Sequence, residues 1–303
     1  MNTSDLGNRS VLIAGGDSDP NLAALVLAFA ARGIHCDTLL VGTQTHPCIT
    51  WDFDLDNLVI NGIQRAPDAV FLRYDVFTNL ADRRQSSAFR AHAWFTTISG
   101  WALSQPHVRM FNRASAQRVT NKLEILHLAR EVGLNIPVTT VTNDHALLSS
   151  MSIRQQLIAK PVNGGDFTRE LDDILTTAPH RDNSLAAPSF VQERLVPPEI
   201  RVYWIAGRIF AFQVVADALD YRSTADCNVI SIEDTVLPTG IIQALGRLME
   251  QQEMNFGAAD FKTCPTTGEL RFLELNNGPM FAAFDNACHG RLTAAMVDFL
   301  SAR

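Results

Sequence analysis

The opening third of the chain alternates strand-like and helix-like segments, and this alternation restricts the fold more than any other feature. Ser10-Val-Leu-Ile-Ala14 is a continuous apolar run of the length of a buried strand, and Gly15-Gly16-Asp17 follows it as a turn. Asn21 to Arg32 has helical periodicity and stops at Gly33, a residue that ends helices by taking positive φ. His35 to Val41 and Ala69 to Tyr74 read as further strands, and Ser87 to Leu103 as a helix. Strands alternating with helices form a parallel sheet with helices on its faces, so an α/β domain is expected over residues 1–110.

Around Pro106 to Ala114 the pattern changes. A short strand, Val108 to Asn112, leads into a long amphipathic helix from Ser115 to Val132, stopped by Gly133. Ile136-Pro137-Val138-Thr139-Thr140 is extended, because a residue before proline is pushed out of the helical region. Strands then dominate: Leu157 to Val162, Phe190 to Val196, and Arg201 to Ala216, the last broken by Ala206-Gly207 as a hairpin. After a helix from Thr235 to Gln252, Phe256 to Lys262 and Leu270 to Leu275 form a second hairpin, and a helix from Arg291 to Leu300 follows. An α+β unit therefore succeeds the α/β one.

Bulk properties exclude several classes. The formal net charge of −7 argues against a general nucleic-acid binder, which carries a basic surplus. Met1 to Arg9 is polar and lacks the apolar core of a signal peptide. Leu22 to Ala31, the longest apolar stretch, falls well short of the roughly 20 residues that span a bilayer. The five cysteines are scattered, odd in number and without CxxC spacing, which points to the cytoplasm rather than to a disulfide framework or a zinc site.

The second unit carries polar residues at strand ends. Lys160 follows the apolar strand Leu157-Ile158-Ala159 and precedes Asn163-Gly164-Gly165, a combination that suits phosphate or, more simply, a turn with a snorkelling lysine. Gln192-Glu193-Arg194-Leu195 ends another apolar strand, with Glu199 and Arg201 beyond it; an exposed strand end of this kind can meet adenine and ribose, or be only a charged edge. Glu274 and Asn276 lie two apart and so share one face of a strand, and Asp260 on the neighbouring strand can complete three oxygen donors. Two carboxylates and an amide suit Mg²⁺ shared with phosphates. The structural alternative needs a basic partner for the carboxylates, for which Lys262 and Arg271 are available.

In this order (Lys122, Lys160, Gln192-Glu193, Glu199-Ile-Arg201, Asp260, Glu274-Leu-Asn276) the residues resemble the ATP-grasp superfamily over roughly residues 110–303. Asn121-Lys122-Leu123 through Gly133 and Ile136-Pro137 to Asp144 are similar to the opening of that fold in RimK-like and graspetide (microviridin-type) peptide ligases, as are Glu199 to Ala211 and Asp220-Tyr221-Arg222. The resemblance implies an α/β N-terminal domain, residues 1–110, before an ATP-grasp fold of two subdomains, 111–190 and 191–303, that sandwich ATP. It implies that Lys122 and Lys160 contact the nucleotide phosphates under a Gly164-Gly165 loop, that Gln192 to Leu195, with Glu193, receive adenine, and that Glu199 holds ribose. Asp260, Glu274 and Asn276 are then the Mg²⁺ ligands, and Arg222 and Arg201 steady the acyl phosphate. The implied activity is ADP-forming ligation of a carboxylate to an amine or hydroxyl on a peptide, by a homo-oligomer such as a dimer.

Two departures touch the substrate more than ATP. The glycine loop is lean, and Asn276-Asn277-Gly278-Pro279-Met280-Phe281 stands where graspetide ligases more often have Asn-Pro followed by Gly-Gln. A small-molecule amino-acid ligase is the alternative within the fold, and a non-catalytic ATP-binding protein the alternative outside it. A nicotinamide enzyme is disfavoured: Val11 to Pro20 is not GxGxxG, and Asp17 and Asp19 would meet a pyrophosphate with negative charge. No Ser-His-Asp or Cys-His arrangement competes; Cys288-His289 suits helix packing and Asp172-Asp173 a solvated face.

Overall fold

The computed structural model describes residues 10–42, 45–82, 84–118, 121–153, 156–162, 168–216, 227–233 and 236–302. The chain divides into two compact units, residues 1–116 with 280–303, and residues 117–279.

The first unit begins with β1 (Val11–Gly16), α1 (Pro20–Ala31) and β2 (Asp37–Val41). Asp19 caps α1 by accepting from the Asn21 amide, and Pro20 occupies the first turn, where a missing N–H costs nothing. A meander of β3 (Ile49–Asp52), β4 (Asn57–Ile60) and β5 (Ile63–Arg65) follows, then β6 (Ala69–Leu72), α2 (Val76–Ala81), α3 (Gln85–Ser104) and β7 (Arg109–Met110). The sheet order is β2-β1-β6-β7, all parallel, as the alternation requires. Leu12, Ala14, Leu39 and Val70 pack with Ile98, Trp101 and Ala102 of α3 and with Leu58 and Ile60 of the meander. Gly15 is demanded by a close approach: a Cβ there would lie 2.8 Å from the Arg73 carbonyl, and its φ is +151°. Arg113 closes α3 by donating to the Ala102 and Leu103 carbonyls, both at 2.9 Å.

In the second unit the expected long helix is shorter. α4 spans Lys122–Glu131, because the Asn121 side chain accepts from the Leu123 and Glu124 amides and fixes the helix start there. β8 (Thr139–Asp144), α5 (His145–Ser152), β9 (Leu157–Pro161), β10 (Arg169–Glu170), α6 (Leu171–Thr177), β11 (His180–Arg181) and β12 (Ser184–Glu193) follow. Here β12 pairs with β8, β9 and β11, all antiparallel, and Leu148 and Leu171 of the two helices cover Leu157, Ala159 and Val191. Asp172 and Asp173 are exposed in the first turn of α6.

A second antiparallel sheet contains β13 (Val196–Ile205), β14 (Arg208–Val215), β15 (Asn228–Ile232), β16 (Phe256–Thr263) and β17 (Leu270–Asn276), with α7 (Thr239–Gln251) between the third and fourth strands in sequence. Its order is β15-β14-β13-β16-β17. The β13–β14 hairpin turns at Ala206 (φ 48°) and Gly207 (φ 87°), two positive φ values in succession as a tight hairpin needs.

The chain then returns to the first unit as α8 (Ala282–Ala287) and α9 (Arg291–Ser301). This differs from the expectation that residues 191–303 form one subdomain. The cause is local: the Asn21 side-chain oxygen accepts from the Phe281 and Ala282 amides at 2.6 and 2.8 Å, and Asp298 of α9 meets Arg32 at 2.5 Å. Among the described residues no helix is long and apolar enough to cross a membrane.

Candidate functional site

Alternation in β13 and β16, and in β17 on either side of an irregularity between Phe272 and Glu274, sorts the side chains of the second sheet. Ile200, Val202, Ala259, Phe261, Phe272 and Leu275 enter a core with Ile125, Leu126 and Ala129 of α4 and Leu245 and Leu248 of α7. The other face is polar. Arg201 stands opposite Asp260, which stands opposite Glu274, and the two-residue period adds Glu199 and Asn276. A register shift after Asp260 breaks the ladder there, so Lys262 pairs across from Arg271.

The expected metal ligands are brought together. Asn276 Nδ2 lies 3.2 Å from Glu274 Oε1 and 3.4 Å from Asp260 Oδ2. Lys122, the first residue of α4, donates from Nζ to Glu274 Oε2 at 2.8 Å. Arg201 Nε is 3.6 Å from Asp260 Oδ1. Lys122 and Arg201 are thus basic neighbours of the two carboxylates. Lys262 instead meets Glu199 at 3.0 Å, and Arg271 lies near Glu193 and Glu269 at 3.8 and 3.3 Å.

Burial alone pushes the Glu274 carboxyl up, yet its pKa is lowered. Lys122, by charge and by hydrogen bond, outweighs the burial, with Asn276 and Lys160 adding to it. Lys160 therefore acts in the field of Glu274. It sits over the Phe190 ring at 5.5 Å, one strand from Gln192. Gln192 is buried and donates to Thr139 Oγ1 at 2.9 Å. Its neighbour Glu193 leaves the strand on the opposite face, where its carboxylate accepts from the Val138 amide at 3.1 Å. Leu195, just past that strand, is buried. Gly164, Gly165 and Arg222 lie outside the described residues.

Sequence reasoning missed the groups that hold the site's own residues: Lys262 on Glu199, Phe190 beneath Lys160, and Thr139 on Gln192. Phe190 was recoverable, because it precedes Gln192 by two residues on the same strand. Lys262 and Thr139 come from other strands, and only register places them.

The donor set fits a hard cation. Among the described residues no three His, Cys, Asp or Glu side chains are placed to hold a metal, so the candidate centre is two carboxylates and one amide. The Asn276 amide now points its N–H₂ between the two carboxylates, and a half-turn of that amide presents a third oxygen in its place.

No protein-family model matches the sequence, and no curated protein matches it. Solved structures do. The ATP-grasp ligase PsnB, complexed with a minimal precursor, has a TM-score of 0.74 at 24% identity over 96% of this chain and 98% of its own. The macrocyclase MdnC from Microcystis aeruginosa MRC, bound with precursor peptide MdnA, gives 0.69 at 18% identity over 97% and 100%. D-alanyl-alanine synthetase A from Vibrio cholerae gives 0.62 at 11% identity over 97% of both chains. The fold expected from the resemblance is therefore the fold found: this chain has the architecture of the ATP-grasp ligases.

Proposed function

We propose that the protein is an ATP-dependent, ADP-forming ligase that activates a carboxylate as an acyl phosphate and joins it to an amine or hydroxyl on a peptide. The observation that carries this reading is the polar face of the second sheet, where Asp260, Glu274 and Asn276 converge beside Lys122 and Arg201. The peptide assignment is supported by the PsnB and MdnC structures, both of which hold precursors.

In this reading Asp260, Glu274 and Asn276 hold Mg²⁺, which neutralises charge on the nucleotide phosphates. Lys122 and Lys160 draw the phosphates toward the carboxylate substrate, whose own negative charge must be offset before one anion can meet another. Arg201 faces the same centre, and we assign it, with Arg222, to the oxygens of the acyl phosphate. Gln192 to Leu195 receive adenine: Gln192 lies on the Lys160 face, while Glu193 contributes through its backbone, since its side chain is engaged by Val138. Glu199 binds ribose and is oriented for it by Lys262. The Gly164-Gly165 loop covers the phosphates, and the two sheets of the second unit act as the two ATP-grasp subdomains.

A homo-oligomer and a cytoplasmic location belong to the same proposal. All five cysteines are free, which supports the compartment, and light scattering on the pure protein measures the assembly. Calorimetric titration with Mg-ATP, followed by mass spectrometry of short peptides encoded beside the gene, tests the whole. Nucleotide binding and loss of one water per new bond are expected. Turnover of free amino acids with no change in any peptide would move the assignment to a small-molecule ligase.

A further inference from the structure

We propose that Lys122 and Glu274 form an exchange pair that makes the site select the metal–nucleotide complex over either component alone. The inference rests on the reading of the site above and deepens it.

Both oxygens of Glu274 are engaged. Oε2 accepts from Lys122 Nζ at 2.8 Å, and Oε1 accepts from Asn276 at 3.2 Å. A divalent cation arriving alone must displace an ammonium from its ligand, cation against cation. A polyphosphate arriving alone must draw Lys122 away and leave Glu274 beside the buried Asp260, with a further anion close to both. When both arrive together the charges trade places: Lys122 goes to phosphate and the metal takes its position on Glu274. No net charge is stranded in that exchange.

The local structure allows it. The Lys122 backbone is fixed at the start of α4 by the Asn121 cap, while its side chain remains 38% exposed and swings on a flexible stem. The other pair of the site differs: Lys262 and Glu199 are only 13% and 11% exposed, as suits a fixed orientation. Arg201, 3.6 Å from Asp260, has a side chain only 9% exposed. Of these three cations Lys122 has the freedom to change partners.

The probe is Mn²⁺, counted by the electron paramagnetic resonance of the free ion, titrated into wild type, Lys122→Met and Lys122→Arg, each with and without a non-hydrolysable ATP analogue. Thermal melting checks that each variant folds, and Lys122→Gln replaces Lys122→Met if that variant does not. In wild type, Mn²⁺ alone binds weakly and the analogue tightens it, with the reciprocal effect of Mn²⁺ on the analogue. Removal of the ammonium raises the affinity for Mn²⁺ alone by about tenfold, because the competing charge is gone, while the analogue binds more weakly. Lys122→Arg keeps the wild-type affinity for Mn²⁺ alone. A lone-Mn²⁺ affinity that stays level or falls in Lys122→Met shows a scaffolding ion pair and overturns the proposal. Failure of wild type to bind the Mn²⁺–analogue complex would instead defeat the nucleotide reading on which it rests.

Discussion

Glu274 is where the residue-scale account is most exposed to test. Its carboxylate accepts from Lys122 and is one of the two we propose for Mg²⁺, and Gln retains its size and one oxygen acceptor while removing the charge. Glu274→Gln is expected to melt within a few degrees of wild type and to lose ligase turnover by at least about 100-fold, as removal of a single charge-stabilising group does in other active sites. Retained turnover would show that the metal lies elsewhere. The same carboxyl predicts a pH effect. Its pKa is lowered on folding, so the stability it contributes is fully present above the usual carboxylate value and is lost as the pH falls through the folded value. Urea midpoints measured from pH 6 down to pH 3 should fall more steeply for wild type than for Glu274→Gln; parallel curves would mean that the Lys122 pair adds nothing to folding.

Elements were legible in the sequence in proportion to their length and pattern. α1, α9 and the β16–β17 hairpin lie within a residue of their expected bounds, since their apolar periods run long enough to declare themselves. β13, in contrast, begins at Val196, five residues before the expected Arg201, although its turn at Ala206-Gly207 is as expected. The β3–β5 meander was not legible, because strands of three or four residues cannot show an alternation. α4 was drawn too long for another reason. Its periodicity extends back past Asn121, and the choice of a side-chain cap there is a competition that periodicity does not register. One of the contacts that hold the chain end on the first unit can be tested by itself. Asn21→Ala removes the acceptor of the Phe281 and Ala282 amides and is expected to cost about 2–3 kcal/mol, read from denaturant midpoints. A change below about 0.5 kcal/mol, the usual range for a surface substitution, would mean that α1 packing alone holds that segment.

At the scale of the whole molecule, the order of six polar motifs over almost two hundred residues carried the fold, and the full-length structural similarity agrees with it. The site divided differently. Asp260, Glu274 and Asn276 were readable because two-residue spacing and a hairpin fix one face. The pairing of Glu199 with Lys262 and of Arg201 with Asp260 was not, since both depend on the β13–β16 register, which joins strands some sixty residues apart.

Whether ATP drives ligation through an acyl phosphate, as proposed, is decided by the nucleotide product. Phosphorus NMR of the pure protein with Mg-ATP and a panel of carboxylate-bearing peptides and amino acids separates the outcomes directly. The account predicts ADP and inorganic phosphate in equal amounts, formed only with substrate and abolished in Glu274→Gln. AMP and pyrophosphate would mean adenylate chemistry at this site and would contradict it.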